Sequence, residues 1–144
     1  VRTGDAGFFL NGELFVVGRI GDSIKVRGRW LFAEDVDATL GTLGFQARHC
    51  TALLGSIDGA DVVAVIGDGF TPDSAERVGA VVAKYVAGIR VIIFNTPRGA
   101  ILRTTSGKPR RRAMWQRLLT GELDAKLVWD SDSAAAYEPE TTAP

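Results

Sequence analysis

One cysteine, one histidine and one methionine occur among the 144 residues. A lone Cys50 cannot close an intramolecular disulfide, and one histidine offers no His/Cys cluster for structural zinc. That histidine, His49, stands at a strand end with no nucleophile or metal partner nearby, so it receives no role. Long apolar runs are missing as well: none approaches the roughly 18–20 residues that a membrane-spanning helix needs. Charge imbalance is absent, since 17 basic residues face 17 acidic ones. Net charge therefore points to neither nucleic acid nor a membrane surface. A reduced, cytoplasmic setting fits. With no initiator methionine and no signal-peptide pattern, and with an opening inside what reads as a motif, the chain is expected to be a fragment, inactive alone.

What is present suits one domain with a real core: 46% of residues are hydrophobic and 24% charged. Gly7–Leu10 and Glu13–Val17 flank Asn11-Gly12, two residues that tolerate positive φ, which predicts a β-hairpin. Gly18–Gly28 follows, a glycine-punctuated stretch containing an alternating strand from Ser23 to Arg27. Trp30-Leu31-Phe32 is an apolar landing. Acids then open a helix from Ala33, with Val36, Leu40 and Leu43 at helical spacing and Gly44 as its end. His49–Leu54 and Asp61–Ile66 read as strands around Asp58-Gly59, the second apolar on both faces and therefore central in a sheet. Thr71-Pro72 starts a helix whose stripe is Val78, Val81, Val82, Tyr85 and Val86, with Glu76 as its acid near the first turn. Arg90–Phe94 is another buried strand. Pro109 is expected to open a last helix, with Met114, Trp115, Leu118 and Leu119 as its apolar face and Gly121 as its end. Beyond Trp129 a polar, disordered tail is expected. The order gives a compact α+β domain, helices packed on a small sheet.

Chemistry concentrates between Arg98 and Arg117, where seven basic residues occur with no acid. Gly107-Lys108 invites a phosphate-loop reading that fails, because Leu102 stands where glycine is needed and Pro109 follows the lysine instead of Ser or Thr. What remains is a lysine on a turn of small residues, Thr104-Thr105-Ser106-Gly107, whose backbone is expected to be mobile. Its ammonium suits phosphate and carboxylate oxygens; a solvent-exposed loop is the plainer reading on spacing alone. The basic run has three readings: a solvated face, a docking face for an acidic protein, or a nucleic-acid grip. Only Trp115 is near enough to stack on bases, which makes nucleic acid the weakest. Asp5, on composition, is a turn former.

Taken together, these stretches resemble the C-terminal part of the adenylate-forming superfamily: acyl-CoA synthetases, peptide-synthetase adenylation domains and luciferases. Arg2-Thr3-Gly4-Asp5 is similar to the motif whose aspartate binds the nucleotide ribose. Gly18-Arg19-Ile20-Gly21-Asp22, continued by Lys25-Val26-Arg27-Gly28, is similar to the hinge motif. Thr105-Ser106-Gly107-Lys108 is similar to the lysine loop. Gly12–Arg19, Val26–Arg29, Glu34–Asp37, Arg111-Arg112 and Gly121-Glu122-Leu123 bring fatty acyl-AMP ligases nearest. The sequence departs from that pattern at Leu102-Arg103, where Pro-Lys is usual, at Trp30–Ala33, and at Gly21.

The resemblance implies that Lys108 is catalytic, Asp5 and Arg19 bind nucleotide, and Asp22 is the hinge. Lys25, Arg27 and Gly28 would form the face used in acyl transfer, and no metal ligand is implied here. It also implies a domain division: 1–21 closing a large N-terminal domain, 22–129 a mobile C-terminal domain, and 130–144 a tail. The implied reaction activates a fatty acid with ATP and magnesium, bound mainly by the N-terminal domain. The acyl-adenylate then passes to the phosphopantetheine of an acyl carrier protein, or to CoA. Acyl-CoA synthetases and amino-acid adenylation domains remain as alternatives, as does a binding module that uses the basic face.

Overall fold

The structure, a computed structural model, describes residues 6–10, 13–18, 23–26, 28–46 and 48–132. Either side of Asn11-Gly12 run two antiparallel strands, β1 (Ala6–Leu10) and β2 (Glu13–Gly18). A second hairpin follows, β3 (Ser23–Val26) and β4 (Arg29–Phe32), with Gly28 turning between them at φ +80°. The apolar landing of the sequence is thus a strand. It leads without a break into α1 (Ala33–Thr42), which buries Val36 and Leu40 and has Glu34 and Asp35 in its first turn.

Two eight-residue strands come next, β5 (Cys50–Ile57) and β6 (Ala60–Gly67), joined by Asp58 and Gly59 at φ +52° and +80°. Both turn residues are left-handed, the conformation that matches the twist of a tight hairpin. After β6, Thr71 caps α2 (Pro72–Val86) reciprocally: Ser74 N donates to Thr71 Oγ1 at 3.1 Å and Thr71 N donates to Ser74 Oγ at 2.9 Å. The first-turn acid is Asp73, not Glu76. Ala75, Val78, Val82 and Val86 are buried, whereas Val81 and Tyr85, at the edge of the stripe, stay exposed. Strand β7 (Arg90–Asn95), helix α3 (Arg111–Thr120) and strand β8 (Lys126–Asp130) complete the described elements.

These last four strands form one sheet in the order β5-β6-β7-β8. β6 is antiparallel to β5 and parallel to β7, with α2 as the crossover that a parallel pair requires. Side chains alternate accordingly. Val63, Val65, Val91 and Ile93 pack with α1 and α2 on one face. Val62, Ala64, Ile66 and Ile92 pack with Met114, Trp115 and Leu123 on the other. Two glycines permit close contact at these layers: a Cβ at Gly79 would overlap the Trp129 ring, and one at Gly55 the Trp115 ring.

The structure departs from the sequence expectation at further points. β4 and β8 are additional strands. Pro109 does not open α3 but bridges Arg103, so the helix starts at Arg111. Leu119 is 52% exposed, off the apolar face. Asp130, at the expected start of the tail, is buried at the end of β8, paired with Arg90 at 2.6 Å. Residues 133–144, the remainder of that tail, lie outside the described residues.

Candidate functional site

Lys108 closes a short turn between β7 and α3. Thr104 N donates to the Lys108 carbonyl at 2.8 Å, Gly107 N to the Thr104 carbonyl at 2.9 Å, and Lys108 N to Thr104 Oγ1 at 3.2 Å. Below it, Arg110 N donates to the Leu102 carbonyl at 2.8 Å, and Arg103 Nη1 to the Gly107 carbonyl at 2.9 Å. Gly107 takes φ +88°, which favours glycine. The turn is therefore more closely tied than its small-residue composition implies. Lys108 itself is exposed, as are Thr104, Thr105 and Ser106. An exposed ammonium on a hydrogen-bonded turn can meet phosphate or carboxylate oxygens.

The following arginines divide sharply. Arg110 and Arg112 are exposed, whereas Arg111 is 7% exposed. Its guanidinium donates from Nε to the Ala52 carbonyl at 3.0 Å, from Nη2 to Asp37 Oδ2 at 2.5 Å, and from Nη1 to Glu34 Oε1 at 3.3 Å. Asp37 in turn accepts from Ala52 N at 2.7 Å and from Thr51 Oγ1 at 2.9 Å. In the sequence the three arginines read as one cationic face. The signal that separates them is helical spacing, since Arg111 shares its face with the buried Met114 and Trp115.

At the β3–β4 hairpin, Lys25 is exposed with Nζ 5.9 Å from the Trp30 ring centre, and Gly28 is exposed in the turn. Val26, Arg29 and Trp30 line a shallow groove with Tyr85, Val86 and Ala87 at the end of α2. Val26 also lies beside Ile57, Ala60 and Arg90, where β5 ends and β6 and β7 begin. The lysine turn belongs to the other end. Arg111 meets Ala52 and Trp115 meets Gly55, so α3 runs alongside β5 from its start, and Lys108 precedes that helix. The hairpin tip and the Lys108 turn thus flank opposite ends of the sheet.

Asp5, Arg19, Asp22 and Arg27 lie outside the described residues. Cys50 is not a nucleophile in this setting. Burial, and next the Asp37 carboxylate, push its thiol up to about 12. Beside it, His49 Nδ1 and Asp68 Oδ2 are 3.3 Å apart. Among the described residues, no three His, Cys, Asp or Glu side chains converge to hold a metal ion. Nor is any helix there long and apolar enough to cross a membrane.

No family model matches the chain. Among curated proteins, a putative fatty-acid–CoA ligase, fadD25 of Mycobacterium tuberculosis, is 37% identical over 124 residues, covering 77% of this chain and 21% of the relative. The medium-chain-fatty-acid–[acyl-carrier-protein] ligase JamA of Moorena producens is 33% identical, covering 94% of this chain and 25% of the relative. The chain therefore spans about a fifth to a quarter of these relatives' length. A solved structure from a study of fatty acyl-adenylate ligases of E. coli and L. pneumophila superposes with TM-score 0.55 at 26% identity, covering 85% of this chain and 23% of that one. The McyG A-PCP complex with phenylalanyl-adenylate shares the fold at TM-score 0.58 and 20% identity.

Proposed function

The chain belongs to the adenylate-forming fatty-acid ligases and corresponds to their C-terminal domain, and from that membership we propose that it carries one mobile half of a two-step active site. In the first step a fatty carboxylate oxygen attacks the α-phosphorus of ATP. The bond to the β-phosphate oxygen breaks, pyrophosphate leaves, and an acyl-adenylate forms. Lys108 places its ammonium against the negative charge that builds on those oxygens, an interaction that gains most inside a closed, water-poor cleft. Asp5 and Arg19 hold the nucleotide. Magnesium accompanies ATP on the large domain.

In the second step a thiol sulfur attacks the acyl carbon, the thiol proton is released, and AMP leaves. Rotation about Asp22 removes Lys108 and brings Lys25, Arg27 and Gly28 to the reacting groups. The observation that supports this reading is the placement of the Lys108 turn and the hairpin tip at opposite ends of one sheet. Two such surfaces cannot face one cleft together, so the domain must turn to use both. The exposed Trp30 and Lys25 beside Gly28 give the second surface a flat apolar rim and a cation, which suits a pantetheine arm.

The acceptor is a carrier protein in this reading. JamA is named for an acyl-carrier-protein substrate, and exposed Arg110 and Arg112 offer cations to an acidic partner. Charge reversal at Arg110 and Arg112, sparing the buried Arg111, is expected to raise the KM for carrier protein about tenfold and leave pyrophosphate release unchanged. An unaltered carrier KM would move the docking face elsewhere. In the complete polypeptide, Lys25→Ala tests the two-surface arrangement. Slowed thiol transfer with intact adenylation supports it, and equal effects on both steps reject it.

A further inference from the structure

α1 and α3 pack on opposite faces of the sheet, yet Asp37 of one and Arg111 of the other meet around its outer β5 edge. Ala52 lies between them, its N–H bound by Asp37 and its carbonyl by Arg111. The ion pair thus satisfies both main-chain groups of an edge residue, which a neighbouring strand would otherwise do. Its location gives it a second use. Arg111 is the first residue of α3, and Lys108 stands only three residues before it. From Lys108 the chain passes through the Arg103–Pro109 bridge and the Arg110-to-Leu102 hydrogen bond, then enters the clamp.

We propose that the Asp37–Arg111 clamp at the Ala52 edge is a positioning device that fixes where the Lys108 turn leaves the domain, and so sets the reach of its ammonium in adenylation. This rests on the role given to Lys108 above. Neither clamp residue touches substrate; each acts through the backbone that carries the lysine. The planar guanidinium is needed, because one group must meet the Ala52 carbonyl and the Asp37 carboxylate together from fixed directions. A lysine at 111 keeps the charge and loses that fork. The turn would then shift relative to the sheet, and small misplacements of a reacting group are costly.

The test uses the complete polypeptide carrying Arg111→Lys, with both half-reactions normalised to folded protein. Adenylation kcat is expected to fall by about ten- to a hundredfold, with the KM for ATP within about twofold and transfer from supplied acyl-adenylate unchanged. A clamp that merely holds the fold would lower both half-reactions together, and that result overturns the proposal, as does unchanged adenylation. Should Arg111→Lys not accumulate folded, Glu34→Ala decides, since it removes only the outer 3.3 Å contact of an exposed carboxylate. A selective fall of about two- to threefold in adenylation supports positioning, and no change overturns it. Lys108→Ala run in parallel separates the two readings. If it abolishes adenylation while Arg111→Lys spares it, only the clamp fails; if it spares adenylation, the role of Lys108 fails first.

Discussion

Arg111 and Asp37, from two helices, hold the carbonyl and the N–H of a single residue, Ala52, on the β5 edge of the sheet. Burying such a pair has a desolvation cost that its geometry must offset, so breaking it from one side leaves an uncompensated charge. Asp37→Ala and Arg111→Ala should each lower unfolding free energy by about 3–5 kcal/mol. The combined Asp37→Ala and Arg111→Ala change should cost well under the sum of the two single losses, read as a strongly non-additive double-mutant cycle in urea unfolding. Additive losses would show that the two residues do not act as a pair.

At Gly79 the constraint is steric. Its missing side chain lets α2 settle on the Trp129 ring of β8. Gly79→Ala should cost about 1–3 kcal/mol despite alanine's better helix propensity, because the ring and helix must part. Trp129→Leu in the same background should relieve part of that cost. A neutral or stabilising Gly79→Ala, measured by thermal unfolding, would refute the contact.

Cys50 gives a pH signature. Its thiol is raised from an ordinary 9.0 to about 12, first by burial and then by Asp37. The folded state thus holds its proton longer than the unfolded state. The associated stability is fully present below pH 9.0 and is lost as pH climbs through about 12. Native protein should resist maleimide at about pH 8 and react on unfolding. Between about pH 8 and 10 the urea midpoint should fall further for wild type than for Cys50→Ala.

Much of this fold is legible locally. The Asn11-Gly12 signal between β1 and β2, the Asp58-Gly59 turn, the Thr71-Pro72 helix start and the two-faced apolar run at Val62–Ile66 each carry their own chemistry. β4 and β8 do not. Trp30–Phe32 is too short to show alternation, and Lys126–Asp130 becomes a strand only through its antiparallel partner β7. Pro109 fits a helix start by propensity, but its bridge to Arg103 moves that start to Arg111. In the site, the turn bearing Lys108 is readable from composition, whereas the division of three successive arginines into two exposed and one buried is a tertiary outcome. Local sequence offers only the shared helical face with Met114 and Trp115.

In the proposed function, Lys108 serves adenylation and leaves the site for acyl transfer. The most direct measurement compares wild type with Lys108→Ala in the complete polypeptide, following pyrophosphate release with ATP and fatty acid, and thiol transfer from supplied acyl-adenylate. Loss of an electrostatic group aimed at developing charge should slow adenylation by about a hundred- to a thousandfold. Transfer should continue at the wild-type rate. Unimpaired adenylation, or equal loss of both steps, would contradict the account.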